Sequence, residues 1–279
     1  MATDRPVWAP GDVAIDQPSV ARIWDWFLGG SHNFAIDREV ARKTLELMPE
    51  GPQMARLSRA FLRRAVEHCV RAGITQFIDL GSGIPTVGNV HEVARQATSG
   101  ARVAYVDIDP VAVAHTRQIL AGDKQTTAVQ ADLRDPARVL ASPELRGLLD
   151  FDQPIALLMV MVLHFVSDSD DPRGILAAYR DALAPGSALV IAHGSRETEG
   201  MPTSHLQTAR KMYEREVGSV SLRTRDEVQA LFEGFELVEP GVVWVPEWHP
   251  EPGQASADAA VADATSPRAG YAGMGIKRS

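Results

Sequence analysis

Three features of this 279-residue sequence predict an α/β fold built on a mostly parallel sheet. From Gln76 onward, short apolar runs alternate with segments of helical periodicity, the pattern of strands joined by crossover helices. The first run, Phe77 to Leu80, passes into Gly81-Ser82-Gly83, a strand-to-helix turn suited to close approach of backbone to a ligand. The next two runs lead into Asp107 and Asp132. These acids fall at the carboxyl ends of strands, where open α/β sheets collect their ligands.

The elements follow in order. After a polar leader, SVARIWDWFLGG sets Ile23, Trp24, Phe27 and Leu28 at helical spacing and stops on Gly29-Gly30. DREVARKTLELM predicts a second helix, broken by Pro49 and Gly51. A third runs from Pro52 towards Gly73, with Met54, Leu57, Phe61, Leu62, Ala65 and Cys69 as its apolar stripe. Its arginines read as a solvated face. Residues 1–73 are therefore expected to form a leader and helical cap in the same domain as a core over 74–279.

In the core, strands are expected at Phe77 to Leu80, Val103 to Val106, Thr127 to Gln130, Ile155 to Met161 and Ala188 to Ala192. A candidate helix follows each of the first four. After the fifth, a polar stretch containing one helical segment forms an insertion over about residues 194–223, a candidate lid or substrate-facing element. Thr224 and Glu227 have capping-box spacing, and FELVEPGVVWV predicts a strand with an extension. The Ala/Pro/Ser/Asp-rich residues 251–270 read as a mobile loop. YAGMGIKR closes the chain as an antiparallel last strand.

Composition removes several function classes. A formal net charge of −8 disfavours indiscriminate binding to nucleic acid or anionic lipid, which needs clustered Lys and Arg. The longest apolar run, Ile155 to Leu163, is too short to cross a bilayer. The N-terminus lacks the basic start and apolar stretch of a secretory signal. Cys69 is the single cysteine, so neither an intrachain disulfide nor a Cys-rich zinc site is available and a cytoplasmic protein is expected. The eight histidines show no metal-ligand spacing, and no metal is assigned.

The turns carry the chemistry. Gly81 and Gly83 permit tight geometry, Thr86 is a candidate cap for the next helix, and exposed backbone N–H groups there suit a carboxylate or phosphate. Alone, this turn fits a dinucleotide, a phosphate or another adenosine compound. Asp107 can accept hydrogen bonds from both hydroxyls of a ribose, with Ile108 against an adenine face, while Asp109 before Pro110 reads as a helix cap. Asp132 can accept from an exocyclic adenine amine beside the apolar wall of Leu133, and Asp135 reads as another cap. Their order along the chain matches the order of groups in an adenosine ligand. A nicotinamide reading is weakened by Thr86 at the position where the dinucleotide fingerprint needs Gly or Ala.

The chain resembles a bacterial family of class I S-adenosylmethionine-dependent methyltransferases, formerly catalogued as a domain of unknown function. The resemblance runs from about Pro18 to the last strand. It is carried by SVARIWDWFLGGSHNFAIDRE, DLGSGIPTVGNVHE, AYVDIDPVAVAH, VLHFV and RTRDEVQALFEGFELVEPGVVWVPEWHP, with DALAPGSALVIAH adding a Pro-Gly turn before the fifth strand. It implies a seven-stranded sheet with added N-terminal helices and S-adenosyl-L-methionine as cofactor. By position, Asp79, Gly81, Ser82 and Gly83 would surround the methionine moiety and Asp107 the ribose. Ile108, Asp132 and Leu133 would surround the adenine, and Met159 to Met161 would lie nearest the sulfonium, with Met161 at the strand's exit. Pro85 departs from the commoner G-x-G-x-G turn.

In-line methyl transfer needs positioning rather than an enzyme nucleophile. A base is required only if the acceptor must lose a proton, and His164 and His193 are the candidates, with packing the commoner role for such residues. His32, Asn33, Asp37 and Arg38 in GGSHNFAIDR fit either a lid over the cofactor or a capped helix-helix connection, and the resemblance to the family segment favours the lid. Asn89 and His91 are further candidates to face the pocket. A small-molecule acceptor, with no nucleic acid or membrane partner, follows from the acidic charge and the lack of a nucleic-acid module. A non-catalytic S-adenosylmethionine sensor is the alternative.

Overall fold

The computed structural model describes residues 14–85, 88–250 and 266–278. Three helices come first: α1 (Val20–Phe27), α2 (Ala35–Leu47) and α3 (Gly51–Arg71). The alternating part then runs β1 (Gln76–Leu80), α4 (Val90–Ala97), β2 (Arg102–Asp107), α5 (Pro110–Ile119) and β3 (Thr126–Gln130). It continues with α6 (Pro136–Leu140), α7 (Pro143–Leu148), β4 (Ala156–Val160), α8 (Pro172–Ala182) and β5 (Ala188–Glu199). Last come α9 (Thr203–Glu216), α10 (Arg225–Ala230), β6 (Phe235–Leu237), β7 (Val243–Trp244) and β8 (Arg268–Lys277).

The sheet order is β3-β2-β1-β4-β5-β8-β6, with β7 also paired to β8. The first five strands are parallel and β8 is antiparallel to β5, as the sequence predicts. The sheet has eight strands rather than seven because FELVEPGVVWV contributes two short strands to the same edge of β8. A cis peptide at Glu239-Pro240 lies between them.

Each face of the sheet is covered, which is why its strands read as nearly continuous apolar runs. Side chains alternate across it with period two. Ile78 and Leu80 of β1 join one core with Ile175, Leu176 and Tyr179 of α8, whereas Phe77 joins the other with Phe61, Leu62 and Cys69 of α3. Asp79 shares the parity of Phe77 and so faces α3. A third cluster unites Ile23 and Phe27 of α1, Val40 and Ala41 of α2, and Met212 of α9. The N-terminal helices and the helix after β5 thus pack against each other.

Several expectations need correction. β5 continues to Glu199, seven residues beyond the predicted Ala192, because β8 pairs along it and Ser195 bridges Arg223. The region expected to be an insertion from 194 therefore begins as strand. The last strand starts at Arg268, where an ion pair with Glu247 at 2.8 Å ties it down, so 268–270 are not loop. Most of that predicted mobile loop, 251–265, lies outside the described residues, as does Thr86. The cap of α4 is Asn89, with Glu92 accepting from its backbone N–H at 2.8 Å. The α3 arginines are not one solvated face. Arg64 is buried and donates to the carbonyls of Trp248 and Val245, holding the late VPEWH segment on α3 with Trp248 edge-on to Phe61.

Candidate functional site

A cavity of about 640 Å³ opens at the carboxyl ends of β1 to β4. Strand order reverses between β1 and β4, and this is where a parallel sheet leaves a crevice between its loops. The nine residues singled out from sequence, Asp79, Gly81, Ser82, Gly83, Asp107, Ile108, Asp132, Leu133 and Met161, all line it. Residues 17–21, Trp24 and Leu28 in and beside the first helix, Arg59 of α3, Asp109, Phe165 and residues 217–219 after α9 are also part of the wall.

Gly81 and Gly83 both have left-handed backbones, φ 69° and 66°. A Cβ at Gly81 would come within 2.3 Å of Val162, whereas a Cβ at Gly83 would meet nothing within 4 Å. The first glycine is required by packing under the turn as well as by φ. The second keeps an open cradle and directs its N–H to Asp107 Oδ2 at 2.7 Å. Asp107 Oδ1 accepts from the Asp109 N–H at 2.8 Å, so the acid ending β2 is held from both sides by backbone. Asp109 and Asp135 cap α5 and α6, accepting from Val111 N and Arg138 N.

Burial dominates the electrostatics. It pushes the Asp79 carboxyl up to about 7, with Arg59 opposing and Asp107 reinforcing the shift. Burial likewise raises Asp107 to about 6, against the stabilising N–H groups of Asp109 and Gly83. Arg59 is in turn made less basic by desolvation, offset by Asp79. Two buried acids and an arginine around an open cradle suit a ligand that brings its own positive and negative groups. Ile108 is 59% exposed beside them, although large apolar side chains are otherwise mostly covered among the described residues.

Arg134 forks onto both carboxylate oxygens of Asp132, Nε donating to Oδ1 at 3.0 Å and a terminal nitrogen to Oδ2 at 2.6 Å, and holds its pKa down. The Arg134 backbone N–H also donates to Asp132 Oδ1 at 2.9 Å, so a ligand amine must share the carboxylate with this arginine. Met161 has φ 56°, an uncommon conformation for a non-glycine residue, while its N–H donates to Ala192 O at 2.7 Å. The chain bends sharply there as β4 enters the cavity.

Other sequence candidates lie elsewhere. His193 is fully buried: Nδ1 donates to Gly194 O at 2.8 Å, leaving Nε2 to accept from Arg223 at 2.7 Å. Burial lowers its pKa to about 4 and holds that of His164 well below the usual range. Neither ring lines the cavity, which accords with the commoner packing and hydrogen-bonding role. His32, Asn33, Asp37 and Arg38 form the capped connection rather than a lid: Asp25 accepts from His32 N and Asn33 Nδ2, and Asp37 pairs with Arg22. Asn89 is a cap and His91 contacts the Tyr105 hydroxyl, away from the cavity. Sequence reading missed Arg59, which stands two residues before the stripe residue Phe61 and so on nearly the opposite side of the helix, where nothing in the spacing distinguishes an electrostatic partner of Asp79 from a solvated arginine.

The profile of the S-adenosyl methyltransferase family matches residues 6–278. The chain belongs to this family. A crystal structure of a candidate methyltransferase from Thermobifida fusca YX is 38% identical, covers 98% of this chain and 100% of its own, and superposes with a TM-score of 0.86. A DUF574-family protein from Streptomyces avermitilis MA-4680 is 37% identical, covers 95% and 100%, and has a TM-score of 0.86. A search of curated proteins returned no match. The protein is thus an S-adenosylmethionine-dependent methyltransferase, and the methyltransferase sheet is the scaffold of its cavity. No helix among the described residues is long and apolar enough to cross a membrane. Nor do the described residues contain a group of three or more His, Cys, Asp or Glu placed to hold a metal ion.

Proposed function

We infer that this methyltransferase acts on a small-molecule acceptor by direct in-line transfer within the 640 Å³ cavity. The observation that carries the reading is the convergence of three successive strand ends, with their glycine turn, buried acids and exposed Ile108, on one cavity. When bound, S-adenosylmethionine supplies a methyl carbon activated by a positively charged sulfur. The residues supply binding and orientation, and effective molarity is the expected source of acceleration.

In this reading Asp107 receives the ribose hydroxyls, Ile108 and Leu133 enclose the adenine, and Asp132 accepts from its amine. Asp79 attracts the amino group of the methionine moiety, Arg59 its carboxylate, and the Gly81-Ser82-Gly83 backbone encloses that end. Met161 borders the sulfonium. Trp24, Leu28 and Phe165 leave an apolar portion of the wall to the acceptor, which suits a small organic molecule better than a nucleic-acid phosphate. The N-terminal leader and helical cap, 1–73, and the core, 74–279, act as one catalytic domain, and the single buried Cys69 accords with a bacterial cytoplasmic location.

The reading is tested by calorimetric titration with S-adenosylmethionine, S-adenosylhomocysteine and NAD, followed by transfer of a labelled methyl group to a panel of small acceptors. Saturable binding of the first two without NAD, then labelling of a small molecule, is expected. Labelling confined to protein or nucleic acid would reject the acceptor class.

A further inference from the structure

Arg22 lies in α1, is 3% exposed and does not line the cavity. A cation buried this far needs complete pairing. Its Nε donates to Asp37 Oδ2 at 2.8 Å, and one terminal nitrogen donates to Asp109 Oδ2 at 2.9 Å. The other terminal nitrogen donates to the Gln17 carbonyl, and the guanidinium lies 4.9 Å from the centroid of the Phe34 ring.

Both carboxylates are tied onward to backbone. Asp37 accepts from Ser19 N at 2.9 Å and from Phe34 N at 2.8 Å, fixing the start of α1 to the start of α2. Asp109 caps α5 through Val111 N, and its own N–H donates to Asp107 Oδ1. Hydrogen bonds therefore run without a break from α2 through Arg22 to the acid at the end of β2. Residues 17–21, held at one end of this path, are a wall of the cavity.

We propose that Arg22 is a positioning residue for the methyl donor: it couples seating of the ribose on Asp107 to docking of the 17–21 wall. This rests on the ribose assignment of Asp107. The planar fork explains the choice of arginine, because two carboxylates on separate elements must be met at once by donors in fixed directions, which the point charge of lysine does not provide. A residue that merely glued α1 to α2 would weaken every cavity ligand alike. A residue acting through Asp107 weakens only ligands with ribose hydroxyls.

The test is calorimetric titration of wild type, Arg22→Lys, Arg22→Met and Asp107→Ala with S-adenosylhomocysteine and its 2′,3′-dideoxy analogue. Wild type should prefer the hydroxyl-bearing ligand by about 5- to 150-fold, the span of one buried hydrogen-bonding group. In the Arg22 variants the preference should fall to within about threefold of unity, because the protein and ligand deletions are coupled. An unchanged preference in the Arg22 variants, whatever the absolute affinity, overturns the proposal. If Asp107→Ala also keeps the preference, the ribose assignment has failed, and the Arg22 proposal with it.

Removing Arg22 leaves two buried acids unpaired, so hydrogen exchange on folded wild type provides a second measurement. Amides 34–40 do not line the cavity. S-adenosylhomocysteine should slow their exchange and the dideoxy analogue should not; equal slowing by both would overturn the coupling.

Discussion

The Gly83 N–H donates to Asp107 Oδ2 at 2.7 Å, joining residues that stand 24 apart in sequence. The glycine turn after β1 and the acid ending β2 are consequently one unit, and a change in either alters the other.

Asp107→Ala should weaken S-adenosylhomocysteine binding by about 1–3 kcal/mol, because a buried acceptor is lost and two backbone donors are left without it. Calorimetry on a variant shown to be folded by circular dichroism measures this. Wild-type affinity would remove Asp107 from the ribose site.

Gly81→Ala and Gly83→Ala should separate packing from φ. Both place a side chain on left-handed backbone, at a cost of roughly 1–2 kcal/mol, but only Gly81→Ala also drives a Cβ into Val162. Thermal unfolding should show the larger loss for Gly81→Ala, with partial recovery on adding Val162→Ala. Gly83→Ala should lose only that backbone cost and also lose cofactor affinity, since its Cβ enters the open cradle. Equal losses of stability would show that the contact with Val162 is readily relieved.

Asp79 makes the unliganded protein pH-sensitive. Burial puts its folded pKa at about 7, above the ordinary carboxyl value of 3.8. The protonated carboxyl is thus favoured by folding, and this contribution, complete below about pH 4, is lost as pH rises through 7. Asp79→Asn should therefore raise stability towards urea by about 2–4 kcal/mol at pH 8 and by much less at pH 5. A gain of equal size at both pH values would assign it to something other than ionisation.

His193 has the opposite sign. Its folded pKa, about 4, lies below the usual 6.5, so stability present above 6.5 is lost as pH falls towards 4, by up to about 3 kcal/mol. His193→Gln should flatten this acid limb in urea titrations. The pH profile of methyl transfer by folded enzyme should not move, because His193 is outside the cavity. A displaced profile would restore it as a candidate base.

Much of the fold was legible because its signals are local. The cap at Asp109 is written by the following Pro110, and the five parallel strands by apolar runs whose both faces are buried. The site was legible for a related reason: strand ends in a parallel sheet converge at one edge, so Asp79, Asp107 and Asp132 share a cavity once the sheet forms. The length of β5 was less legible, since it depends on pairing with β8 far along the chain.

The sequence by itself determined the class of sheet, the helix caps and the strand-end residues that meet at the cavity, through periodicity and turn chemistry acting over a few residues. Only the tertiary structure decided the partners of its charged and titratable side chains. Arg22 reaches Asp109 across 87 positions, Arg64 reaches Trp248 across 184, and His193 is sealed by Arg223 across 30. The physical reason is that desolvation and ion pairing depend on what packs nearby in space, and composition does not specify which distant segment that will be.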